Sequence, residues 1–249
     1  LASSTYQGQG PDEITIIGHV GIDETNRRFF VSDHGKLKIF AYDLDSVLTT
    51  PEYQPSVKID MKKKLFPDDY LYLNDTLCIA KIIEPIGNND YKPSVARWNM
   101  ATEEINPMPY EYPDLKKVRF IYAASAEHQL YVQCYTQYDL MTICDFNGNL
   151  KCNIYGPKWV NEKTQTQHYS LGVEFCGDKI LALYSGGDHR TDAYYPTKFL
   201  VFDLNGNYLK TLETGYMITD FCYDKENNRL IINLNDEIQF AYLDLEGII

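Results

Sequence analysis

The stretch CDFNGNLK, Cys144 to Lys151, returns 58 residues later as FDLNGNYLK, Phe202 to Lys210. Each copy leads from an apolar run through Asp, an apolar residue and Asn-Gly-Asn into a second run. Asn-Gly between two such runs signals a β-hairpin. A two-residue type I′ turn is expected, because both of its central residues need positive φ. A chain that writes one corner twice is built from repeated units of local structure, and this narrows the choice of fold more than any other feature.

Lining up the apolar and alternating runs gives five such units. They are Ile16 to Leu44; the runs from Leu71 and Ser94; Arg119 to Tyr155; the runs from Tyr169 and Lys198; and Met217 to Gly247. Each unit opens on a small-residue strand, turns at polar residues and continues with stronger strands, while helical periodicity is nearly absent. Units of roughly 50 residues with three or four strands define a β-propeller. The expected fold is all-β, one propeller domain over residues 1–249. The repeated phrase is then the corner between a blade's third and fourth strands. ATEE after Met100 takes that corner in unit two, the longer DSVLTTPEYQPS in unit one, and DLEGII in unit five. Unit five has three strands and only the stub Ile248-Ile249 of a fourth. The opening LASSTYQ is placed like a fourth strand without a blade. Five blades closed by residues 1–7, or six blades with one upstream, would each leave no long open edge.

Composition fits this reading. Hydrophobic residues make up 44% and aromatics 14%, with 21 Tyr, which favours half-buried strands. The net charge of −12 repels nucleic acid and anionic membrane surfaces. No apolar run reaches the ~18 residues needed to span a bilayer. Lys62-Lys63-Lys64, followed by Asp68 and Asp69, reads as a solvated loop. The chain starts at Leu1, so a processed form or fragment is expected, with any export signal upstream. The six cysteines show no CxxC and no zinc spacing. A type I′ corner would set Cys144 opposite Lys151 and Cys152 opposite Ile143, on different faces, so free and mostly buried thiols are expected. No cofactor or metal site is expected.

GQGPDE, Gly8 to Glu13, leading into an Ile-rich strand and then FFVSD, resembles the TolB-like six-bladed propellers of Bacteroidetes, as do the DLNGN-type corners. The resemblance implies six blades, export beyond the inner membrane to the periplasm or the outer membrane, often with a lipid anchor, and no established activity. Read as a phosphate loop, GQGP fails, because Pro11 and the strand-like ITIIGHV leave no helix N-terminus behind it.

A binding site is expected on the face that carries the long connections. These are EPIGNNDYKP, NPMPYEYPDLKK, YGPKWVNEKTQTQH and SGGDHRTDAYYPT. They supply Tyr91, Tyr110, Tyr112, Trp159, Tyr194 and Tyr195, which suit stacking on a sugar or anchoring a protein; the plain alternative is packing beneath their own loops. Asp188, His189, Arg190 and Asp192 form the densest polar group. It could hold an anion, a substrate or Ca²⁺, against a solvated loop bonded to itself, and the EF-hand order is missing. Asp33-His34, before Gly35, lies on the same face and matches tight-turn chemistry. His19 is expected on an innermost strand. No G-x-S-x-G, H-E-x-x-H or Cys–His spacing is present. The expectation is a non-enzymatic binding or scaffold propeller of the cell envelope, holding a protein or carbohydrate. The alternative is a carbohydrate-active hydrolase or lyase using acids with His189 or His34 at the channel mouth.

Overall fold

The computed structural model describes residues 7–10, 13–50, 53–87, 90–191 and 194–249. The protein is all-β, with five blade-like antiparallel sheets and the fold of a β-propeller. The chain divides into two compact units, Leu1–Met108 and Pro109–Ile249.

The first unit holds two blades. One pairs β1 (Ile17–Asp23), β2 (Arg28–Asp33), β3 (Lys38–Asp43) and β4 (Ser56–Asp60) in chain order. The other pairs β5 (Phe66–Asn74), β6 (Leu77–Gly87), β7 (Asp90–Asn99) and β8 (Glu104–Pro107). Phe30, Ile39, Tyr70, Ile82 and Trp98 are buried in their shared core. The small residues of β1 have a steric reason: a Cβ on Gly21 would lie 2.5 Å from the Tyr70 ring.

The second unit holds three blades. β9 (Phe120–Ser125), β10 (Leu130–Tyr135), β11 (Leu140–Asp145) and β12 (Leu150–Tyr155) form the first. β13 (Thr166–Cys176), β14 (Lys179–Asp188), β15 (Lys198–Asp203) and β16 (Tyr208–Glu213) form the second. β17 (Ile218–Asp224), β18 (Arg229–Leu234) and β19 (Phe240–Asp244) form a three-stranded third, as the sequence shows. Val132, Ile143, Tyr169 and Ala182 fill one core, and Leu181, Phe199, Phe221 and Leu230 another. Residues 1–6, expected as a closing strand, lie outside the described residues; Gln7 makes an isolated parallel bridge with Ile14.

The repeated corners fall between the third and fourth strands of their blades, but the turn differs from the type I′ expectation. Only the glycines have positive φ, +79° at Gly148 and +85° at Gly206; Asn147 and Asn205 do not. Each corner is a four-residue turn, closed by Gly148 N–H to Asp145 O at 2.9 Å and Gly206 N–H to Asp203 O at 3.0 Å, and a bulge follows it where the register shifts between Ile143 and Cys144 and between Val201 and Phe202. The preceding Asp selects this form. Asp145 accepts the N–H groups of Asn147 and Asn149 at 2.8 and 2.9 Å and the Asn149 amide at 2.9 Å. Asp203 accepts the same three from Asn205 and Asn207 at 2.9, 2.8 and 2.8 Å. Cys152 does face Ile143, while the bulge sets Cys144 against Leu150 instead of Lys151. All six thiols are free, and Cys78, Cys134, Cys144 and Cys176 are buried.

Two connections also differ from expectation. The unit-one corner carries a short helix, α1 (Leu44–Thr49), whose N-cap Asp43 accepts the Ser46 N–H at 2.8 Å. EPIGNNDYKP is mostly hairpin: Pro85 pairs with Tyr91 and Gly87 with Asp90. The strand pattern simply continues past the point where Pro and Asn suggested a loop.

Candidate functional site

In the first unit, Asp33 ends β2 and is fully buried. Its carboxylate accepts four backbone N–H groups: Thr15 at 2.8 Å, Ile16 at 3.1 Å, Gly35 at 2.9 Å and Lys36 at 3.2 Å. Burial alone would raise its pKa, but these donors outweigh that and hold it below the usual carboxylate range. Asp33 therefore ties the segment ahead of β1 to the β2–β3 turn. The Lys36 ammonium donates to the carbonyls of Gly10 and Glu13, and the Glu13 carboxylate accepts the Gly10 N–H at 2.6 Å. The described part of the Gly8–Glu13 segment is thus a strap bound to its own blade. His34 lies 4.0 Å from Asp68, and His19 lies 2.9 Å from Asp69. Tyr91 sits within β7.

In the second unit, the segment before β9, the β12–β13 connection and the β14–β15 connection leave the same side of their antiparallel blades. Trp159 is the hub of this side. Its ring meets Tyr112, Tyr138 and Tyr155 at centroid distances of 5.7, 6.4 and 5.1 Å, tilted or edge-on. The Tyr112 and Tyr155 hydroxyls are 3.3 Å apart, and this contact raises the Tyr112 pKa. Tyr138 is buried and donates to the Lys116 carbonyl at 2.7 Å, which fixes the segment before β9. Tyr155 is half exposed and Val160 is exposed beside Trp159 in sequence. Tyr110 stands apart from these rings and accepts a hydrogen bond from the Asn153 amide at 2.8 Å.

What holds Trp159 in place is a buried polar group. The Asp139 carboxylate accepts the Lys158 N–H at 2.9 Å and the Tyr184 hydroxyl at 3.3 Å. His168 Nδ1 lies 3.2 Å from the Tyr184 hydroxyl and 3.7 Å from Asp139. Burial lowers the His168 pKa, with Asp139 pulling the other way, so the ring is neutral at neutral pH. Burial and Asp139 together raise the Tyr184 pKa, so its hydroxyl stays protonated and donates. A Cβ on Gly156 would lie 2.2 Å from both Asp139 oxygens, so the chain can pass over this carboxylate only as glycine.

The Asp188 group is bonded to itself and its neighbours. Asp188 accepts the Arg190 N–H at 2.9 Å, the His189 ring contacts the Gln165 carbonyl at 2.9 Å, and Arg190 reaches the Gln165 side chain at 3.3 Å. Asp192 lies outside the described residues. The Tyr194 and Tyr195 rings meet at 4.2 Å, tilted by 31°. Among the described residues no three His, Cys, Asp or Glu side chains converge as metal ligands. Of the predicted residues, Trp159 and Tyr112 meet in one cluster, while His189 and Arg190 dock on the end of the β12–β13 connection. Asp33 serves its turn, and Tyr91 belongs to a strand of the other unit. Tyr138, Tyr155, Asp139 and Tyr184 were not singled out from sequence, although Tyr155-Gly156-Pro157 marks where the chain must pass closely over something.

Fold and site together define a β-propeller whose second unit carries an aromatic loop cluster. A family model described as a 6-bladed beta-propeller matches residues 5–76. The comparison with curated proteins gave no match. Among solved structures, the extracellular domain of a proposed hybrid two component system from B. thetaiotaomicron is similar with TM-score 0.59 and 11% identity, covering 96% of this chain and 29% of that one. The chain therefore spans less than a third of that domain. A chain of the nidogen/laminin complex is similar with TM-score 0.57 and 10% identity, covering 93% of this chain and 76% of its own length. A protein of unknown function from Bacteroides caccae is similar with TM-score 0.52 and 12% identity, covering 93% and 78%. At these identities the likeness is one of fold.

Proposed function

We propose that this chain is a non-enzymatic binding propeller of the cell envelope, related to the TolB-like propellers and recognising a protein partner through the aromatic cluster of its second unit. The observation that carries this reading is Trp159 with Tyr155 and Tyr112. Their rings are oriented by one another and by the Asp139-anchored connection, with Tyr155 half exposed. Trp and Tyr held rigidly at a surface are the side chains that most often dominate protein interfaces, because they contribute large area at little cost in side-chain freedom. The net charge of −12 favours a partner with a basic contact surface. The similar structures support an extracytoplasmic setting: one is the extracellular domain of a proposed hybrid two component system, another belongs to a protein complex. No observation favours the hydrolase or lyase alternative, because His189 is engaged with Gln165 and His34 stands by Asp68.

The test is a photo-crosslinker placed at residue 160, with and without Trp159→Ala, in the native envelope. A discrete adduct that disappears in Trp159→Ala supports the reading. An adduct pattern unchanged by Trp159→Ala overturns it. Saturable binding of a defined oligosaccharide that needs Trp159 would replace the protein partner with a carbohydrate.

A further inference from the structure

A second feature of this unit adjoins the Trp159 cluster and shares Tyr155 with it. Between its first two blades lies a cavity of about 340 Å³, large enough for a molecule of one or two rings. Its walls are the rings of Tyr155, Tyr169, Tyr184, Phe202 and Tyr208, with Ile154 and Leu200 between them. Two charged residues line it, and they are not equivalent.

Asp139 is committed to the protein. Its carboxylate is 1% exposed, lies against Gly156 and accepts the Lys158 N–H and the Tyr184 hydroxyl. Lys198 is different. It stands opposite Tyr184 in the β14–β15 ladder, and its ammonium is 5.8 Å from the centre of the Tyr184 ring. Its ion pair with Glu213 is 3.7 Å long, past hydrogen-bond length, and the Glu213 side chain is 65% exposed. So a partly buried cation (29% exposed) borders an aromatic cavity, and among the described residues its ion-pair partner is loose and solvated. An ammonium carries three donors, and a carboxylate brought to it in such surroundings makes a charge-assisted hydrogen bond stronger than one in open water. At the rim the Tyr208 and Thr211 hydroxyls are 2.8 Å apart and can shift from each other to a ligand oxygen.

We propose that this cavity binds a small aromatic carboxylate, its ring between the tyrosine and phenylalanine walls and its carboxylate on Lys198. A sugar fits less well, because most of its hydroxyls would face rings and aliphatic carbons and lose hydrogen bonds made in water. A cationic ligand would meet Lys198 as a like charge.

Calorimetry with three probes that share the indole ring tests this: indole-3-acetate, its near-isosteric amide indole-3-acetamide, and the cationic tryptamine. The acetate binds saturably, the amide binds about tenfold more weakly or worse, and tryptamine does not compete. Lys198→Met brings the acetate down to the level of the amide, and Lys198→Gln, which keeps a polar group on the strand, does the same. Both variants are checked for an unchanged circular dichroism spectrum. Tyr208→Ala weakens acetate and amide alike. Equal affinity for acetate and amide, preference for tryptamine, absence of saturable acetate binding at millimolar concentration, or an acetate preference surviving both Lys198 variants would each overturn the proposal. None of these outcomes bears on the crosslink from residue 160, so the two readings fail separately.

Discussion

Single residues in this chain act where backbone segments must pass closely or end cleanly. Gly156 is the sharpest case, since any Cβ there would fall on the Asp139 carboxylate. Gly156→Ala is expected to destabilise the fold by about 1–3 kcal/mol, as forced overpacking does, and to be seen as a lower midpoint in urea unfolding. The same variant should loosen Trp159 and red-shift its emission. His168 gives a pH test. Its folded pKa lies below its unfolded value of about 6.5, so the unfolded chain binds more protons in the window beneath that value. Its contribution is complete above about pH 6.5 and is lost as pH falls through the folded pKa. Unfolding free energies measured between about pH 5 and pH 8 should rise with pH in the wild type, and His168→Asn should flatten that rise. Asp33 acts in the same direction at lower pH, because its donors hold its pKa below the usual range.

At the scale of elements, the corner Asp-x-Asn-Gly-Asn is a complete local device. The Asp caps the two Asn N–H groups, the second Asn side chain bonds back, and Gly takes the left-handed position. Asn-Gly alone suggested a two-residue turn. The Asp on one side and the Asn on the other decide for the bulged form, because their mutual hydrogen bonds close it. Gly206→Ala combines a φ of +85° with a Cβ 2.7 Å from the Cys152 sulfur on the neighbouring blade. It is expected to cost more than the ~1 kcal/mol typical of the left-handed backbone alone, which equilibrium denaturation of the single variant would measure. Loop length was the weaker inference. The stretch around Tyr91 reads as punctuated by Pro, Gly and Asn, yet hairpin pairing carries through it, because Pro85 and Gly87 lie past the last β5–β6 pair at Phe66–Ile83, where that ladder does not need their N–H.

For the whole molecule, the free thiols offer a check on how the blades are held. A maleimide reagent should label Cys222 first and Cys152 more slowly, while the four buried thiols wait for unfolding. The melting temperature should be the same with and without reductant, and a shift on reduction would contradict the free-thiol assignment. The repeat, the strand order within each blade, the three-stranded last blade and the Asp33 turn were all readable from sequence. They depend on residues near one another in the chain, where period, turn chemistry and propensity act directly. Tyr112 and Trp159 were readable as aromatics of one face, but which rings meet in the hub, the Asp139–Tyr184–His168 group and the Lys198 cavity were not. Tyr112 and Trp159 are 47 residues apart, and Asp139 and Tyr184 are 45. No local rule links such positions. Only the packing of one blade on the next decides which tyrosine meets the tryptophan, which aspartate is buried and which lysine is left facing a cavity.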